Sequence, residues 1–153
     1  MSSSDASPTS GALRPNVLMA FACENVTSDP GAPVSFQHIM DGIGVVDFPA
    51  VTGRWLAIFC FWSLVELRLP NCRVVVAAED GEIIAQTQLK DLTFSANSQI
   101  SRSVVAFQGL AWPHPGRYII MFIANKDDLL ASFPMLVQQA PPSAGESAQA
   151  PPR

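Results

Sequence analysis

A chain of 153 residues is long enough for one domain with a proper core, so neither a metal nor a disulfide is needed for folding. Charged residues make up 14% of it, against a usual share of about 25%, while apolar residues reach 48%. The net charge is −4, with seven basic against eleven acidic residues between positions 15 and 139, the wrong sign for a surface that neutralises phosphate; a nucleic-acid partner is not expected.

Residues 1–14 and 140–153 are rich in Ser, Pro, Ala and Gly and nearly devoid of large side chains, which predicts disordered tails around one β-domain at 15–139. "RPNVLMAFAC" (14–23) resembles a lipoprotein signal ending in a Cys, but seven apolar residues after Arg14 and a Ser-rich, nearly uncharged leader are a poor match. The stretch reads instead as a strand, 16–23, closed by the turn "TSDPGAP". "VSFQHIM" (34–40) alternates, with Val34, Phe36, His38 and Met40 on one face. "DGIG" interrupts, a short strand "VVDF" ends at Pro49, and "RWLAIFCFWS" (54–63) follows. Residues 72–90 form the clearest hairpin, because Asp80-Gly81 supplies the positive φ that a two-residue turn needs, and Ile83, Ala85, Thr87 and Leu89 line one side of its second arm. Strands at 100–110, 117–125 and 129–137 complete the domain.

Eight or nine short strands with Gly/Pro turns and no helical period predict an all-β fold, an antiparallel sandwich of the immunoglobulin-like, Greek-key type. "PHPG" (113–116) is a rigid reversal, and Tyr118 two places after Gly116 has the spacing of the tyrosine corner, in which a phenol ties a strand to the loop before it. His114 is accordingly read as a turn residue, since its sequence neighbours offer no polar partner. Cys23, Cys60 and Cys72 each sit in or beside an apolar run, with no C-x-x-C pair, which suits a reducing compartment. The longest apolar run, Trp55 to Trp62, is far short of the ~20 residues of a membrane helix. A cytoplasmic protein with no membrane partner is expected.

Several stretches carry a family resemblance: Cys23-Glu24-Asn25 at the end of the first strand, Met40-Asp41 with Ile43, and Pro113, Pro115, Gly116 and Tyr118 ahead of a last hairpin. In these the chain resembles a family of small bacterial β-sandwich proteins of unknown function. The resemblance spans nearly the whole domain and implies the fold; it brings no catalytic residues with it.

Chemistry has little material. His38 and Asp41 are three apart on a strand and so point to opposite faces, which defeats a relay of the Ser-His-Asp kind. The two histidines and three cysteines are scattered singly, so no metal site and no cofactor are expected. His38, in phase with an inward face, needs a hydrogen-bond partner and is kept with Asp41 as a possible polar site.

The stronger signal is apolar character on both sides of single strands. Trp55, Ala57, Phe59 and Phe61 alternate with Leu56, Ile58, Cys60 and Trp62; Tyr118, Ile120 and Phe122 alternate with Ile119, Met121 and Ile123; residues 17–23 repeat it more weakly. If these strands are neighbours, their outer side is a large apolar patch, to be covered by a protein partner or second copy, by a loop such as 64–71, or by a small apolar ligand. Trp55, Phe59, Phe61, Trp62, Trp112 and Met121 are the interface candidates. The sequence therefore predicts a non-catalytic interaction or assembly module, with a small-ligand binder as the alternative and an enzyme using His38 with Asp41 or Asp47 third.

Overall fold

A computed structural model describes residues 13–140, so all of the predicted tails except Leu13, Arg14 and Ala140 lie outside the described residues. Every regular element within them is a strand: β1 (Asn16–Thr27), β2 (Ser35–Met40), β3 (Gly42–Val45), β4 (Ala50–Val51), β5 (Trp55–Trp62), β6 (Leu67–Leu69), β7 (Arg73–Ala78), β8 (Ile83–Gln88), β9 (Leu92–Phe94), β10 (Ile100–Phe107), β11 (Ala111–Trp112), β12 (Gly116–Ala124) and β13 (Asp128–Gln139). Among the described residues no helix is long and apolar enough to cross a membrane. The strands number more than eight or nine because β4, β6, β9 and β11 are rungs of two or three residues, too short for alternation to show.

A four-stranded sheet runs β10-β5-β1-β2 and a five-stranded sheet β3-β13-β12-β7-β8, with β11-β4 and β6-β9 as separate pairs. One core is shared between the larger sheets. From β5 come Trp55, Ala57, Phe59 and Phe61, and from the five-stranded sheet Val74, Val76, Tyr118, Ile120, Phe122, Phe133 and Met135. The Phe59 ring lies 5.3 Å from Phe122 and 5.5 Å from Phe133, and Phe61 lies 4.9 Å from Phe122. Trp55 stacks on Phe107 at 4.7 Å and on Trp112 at 6.2 Å. Aromatic rings this large remove much apolar area from water per residue, which is why so few positions suffice to close the core.

Five expectations are corrected in detail. Not every pairing is antiparallel: β13 and β3 run parallel, Leu136 opposite Gly42 through Gln139 opposite Val45. The β7–β8 turn has three residues rather than two, since the Ala78 N–H donates to the Glu82 carbonyl at 2.8 Å and Gly81 takes φ 95° between them. A register shift between Val76 and Ala77 leaves Ile84 as an extra residue, so that Ile83 alone turns outward, at 58% exposure, while Ala85, Thr87 and Leu89 keep the expected side and Ile84 packs on the core. In β2, His38 adopts φ 55°, which breaks the alternation: Met40 packs on the main core, Phe36 packs against a different cluster, and His38 is exposed. Finally, β5 and β12, the most apolar strands, are not neighbours but face one another through Phe59, Phe61 and Phe122, whereas β5 and β1 do pair.

The corner at Tyr118 forms as its spacing indicates. Its hydroxyl donates to the His114 carbonyl at 2.6 Å, and the ring meets Trp112 edge-on at 4.8 Å.

Candidate functional site

Residues directly opposite one another across a sheet project from the same face. On the side of the four-stranded sheet away from the shared core, this brings Ile39, Cys23 and Leu56 into one row with Ala106, and Phe21, Ile58 and Val104 into the next. Met19, Cys60 and Arg102 form a third row, and Asn16, Trp62 and Ile100 a fourth. Cys23, Leu56 and Ile58 are buried as a second hydrophobic cluster, against which Phe21, Val26 and Phe36 pack, the rings of Phe21 and Phe36 meeting edge-on at 5.0 Å. Every member of that cluster comes from β1, β2 and β5 themselves. Its flanks lie open: Ile39 is 67% exposed, Ile100 55% and Val104 47%. Segment 64–71 does not cover it, because Leu69 is buried in the main core and Leu67 packs against that same core. Arg102 is the one charged residue in the four rows.

This placement revises the interface candidates. Trp55, Phe59, Phe61 and Trp112 are buried in the main core and have no surface to offer, because the face of β5 that carries the larger rings is the one turned toward the opposing sheet. Trp62 is half-buried on the outer face of the four-stranded sheet, and Met121 half-buried on the five-stranded sheet, so the two do not share a patch. Ile39, Ile100 and Val104 were not singled out from sequence. Their strands are half polar, and only the pairing partners reveal that their apolar positions extend the outer side of β5.

His38 and Asp41 do not form a polar site together. The His38 Nδ1 meets Glu24 Oε2 at 2.8 Å across the β1–β2 pair, both side chains well exposed, so the contact is a weakly stabilising surface pair. The Asp41 backbone carbonyl accepts the Leu136 N–H at 3.2 Å, and among the described residues no hydrogen bond or ion pair joins His38 to Asp41 or Asp47. An open cleft of about 670 Å³ lies beside this region, lined mainly by apolar residues with Glu24, Asp47, Thr52, Arg54 and Trp55 among them. The Trp55 indole N–H is buried and has no acceptor among the described residues, whereas the Trp112 indole donates to Thr52 Oγ1 at 3.0 Å.

The three cysteines are buried, unpaired thiols. Burial pushes the Cys23 and Cys72 thiols above the ordinary value, which leaves them poor nucleophiles.

At the far end of the five-stranded sheet, sequence reasoning missed a cluster. Ligand atoms of Asp80, Glu82 and His114 all lie within 4.8 Å of one another, every one of the three residues exposed. His114 is a turn residue, as expected, but its polar partners come from a turn more than thirty residues earlier in the chain. The only signal in the sequence was that the β7 and β12 segments are both strongly apolar and so candidates to pair.

No protein-family model and no curated protein matches the chain. Among solved structures, it is similar to a Pseudomonas fluorescens alkylpurine DNA glycosylase, AlkC, bound to DNA containing an abasic site analogue. The TM-score is 0.44 at 14% identity, over 64% of this chain and 27% of that one.

Proposed function

We propose that the chain is a non-catalytic assembly module of immunoglobulin-like sandwich type, a member of the bacterial family it resembles, which pairs with a second copy of itself through the outer face of its four-stranded sheet. The observation that carries this reading is the second hydrophobic cluster, built on the side of the sheet away from the core and flanked by exposed Ile39, Ile100 and Val104. The cluster's own members are buried among β1, β2 and β5, and what the face leaves to be covered is the apolar area of Ile39 on β2 and of Ile100 and Val104 on β10. With a single arginine across its four rows, the face carries little charge by which to select an oppositely charged partner and little to repel a second copy. Three buried free thiols suit a reducing compartment, in keeping with a cytoplasmic home.

Sedimentation velocity of the full chain tests it. Wild type self-associates as concentration rises, and Ile39→Glu with Val104→Glu gives a monomer of unchanged circular dichroism, because both positions are open enough to accept charge without disturbing the core. A wild type that stays monomeric at high concentration removes the reading. A second reading, a small-molecule binder, is favoured by the open cleft lined by Met40, Ile43, Val51 and Trp55. Native mass spectrometry of protein isolated from cells separates the two, showing a doubled chain mass in the first case and an added small mass in the second.

A further inference from the structure

We propose that the β7–β8 turn and the turn ahead of β12 together form a binding site for a divalent transition-metal cation of the zinc class, held by Asp80, Glu82 and His114. The site lies on the five-stranded sheet and is independent of the assembly reading.

Sheet register brings the groups together. β7 pairs with β12 so that Ala78 stands opposite Tyr118, and continuing that antiparallel ladder by a few residues sets the turn at 79–82 beside the turn at 114–116. The three ligand atoms lie within 4.8 Å of one another. A zinc ion binding each at about 2.0–2.2 Å asks its ligand atoms to sit roughly 3–3.5 Å apart, a closure of about an ångström or so for exposed side chains free to rotate.

The histidine is held as a metal ligand is held. Its Nδ1 lies 3.2 Å from the Pro115 carbonyl and 3.4 Å from the Tyr118 hydroxyl; with the proton on Nδ1, donated to that carbonyl, the Nε2 lone pair is left for a metal. Metal-binding imidazoles are commonly oriented by just such a bond from their second nitrogen to a backbone carbonyl or carboxylate. The ring also stacks on buried Tyr118 at 5.7 Å, and the Tyr118 hydroxyl fixes the His114 backbone. Asp80 uses Oδ1 to accept the Glu82 N–H at 3.0 Å, leaving its second oxygen free.

Charge favours a cation. Glu79 and Asp80 line the same hollow as His114 and Arg117, with Glu82 alongside, so three carboxylates face one guanidinium. None of the three carboxylates has an ion-pair partner among the described residues. The fields of Glu82 and Asp80 reach the Tyr118 phenol, adding to the burial that raises its pKa. One imidazole among the carboxylates selects zinc-class ions over calcium and magnesium, which prefer all-oxygen sites. Three protein ligands leave a coordination position for water.

Calorimetric titration of zinc chloride into the full chain tests the site. One zinc per chain is expected, with affinity weakened by about tenfold or more in His114→Gln and in Asp80→Asn, which keeps the oxygen that accepts the Glu82 N–H. His38→Gln, at the other exposed histidine, leaves it unchanged. In nuclear magnetic resonance spectra, zinc shifts the signals of 79–82 and 114–117 while the core signals of each variant stay in place. The site is refuted if wild type takes up no zinc below roughly 1 mM, if His114→Gln binds as wild type does, or if the responding signals belong to His38 and Glu24.

Discussion

Tyr118 shows how one side chain can fix a loop. Fully buried, it spends its only polar group on the His114 carbonyl at 2.6 Å, and that bond holds the proline-bracketed turn against the start of β12. Tyr118→Phe keeps the ring and its edge-on contact with Trp112 but strands the carbonyl; a loss of about 1–2 kcal/mol is expected from urea unfolding. An unchanged midpoint means water replaces the bond at no cost. This corner was legible in sequence because its parts lie within five residues, from His114 to Tyr118. The carboxylates beside His114 were not, since Asp80 and Glu82 look like ordinary turn residues until the strands carrying them are paired.

At the scale of elements, apolar character on both sides of β5 was plain from composition, but which side faced the core was not. That depends on the opposing sheet, where Phe122 and Phe133 meet Phe59. Phase was misread wherever the backbone departs from a regular pleat, at His38 in β2 and at the register shift that turns Ile83 outward. Both are single-residue irregularities in otherwise good alternation, and alternation alone carries no trace of them. The crossing from one large sheet to the other was equally hidden. There the chain leaves β2 and enters β3 at Gly42, where an added Cβ would stand 2.9 Å from the Leu136 carbonyl oxygen. Gly42→Ala must therefore push β3 off β13, and thermal and urea unfolding should report a loss of about 1–3 kcal/mol. Gly81→Ala makes a useful contrast: its site has open space, so its cost is backbone strain alone.

For the whole molecule, the buried acids set the pH response. The Cys23 and Cys72 thiols are held above their ordinary value of about 9, chiefly by burial, so between that value and their raised one the folded chain keeps protons the unfolded chain has shed. Their contribution is intact below pH 9 and declines as pH rises beyond it; Tyr118, raised first by burial, adds the same sign above about 10. Urea midpoints under reducing conditions should fall from pH 9 upward, and Cys72→Ala should flatten the decline. A midpoint steady to pH 10 refutes this account. The all-β class was legible because period-two patterning recurs along the entire domain, whereas the distribution of strands between sheets rests on contacts between distant segments that no local pattern records.

The left-handed residue in β2 carries one more implication. β2 is an outermost strand, where amides unused by a neighbour invite a passing chain to extend the ladder. A crooked backbone at His38, with a paired imidazole and carboxylate standing out beside it, offers no straight rail for such growth. The β2 edge is thereby protected from the side-by-side strand addition that builds fibres.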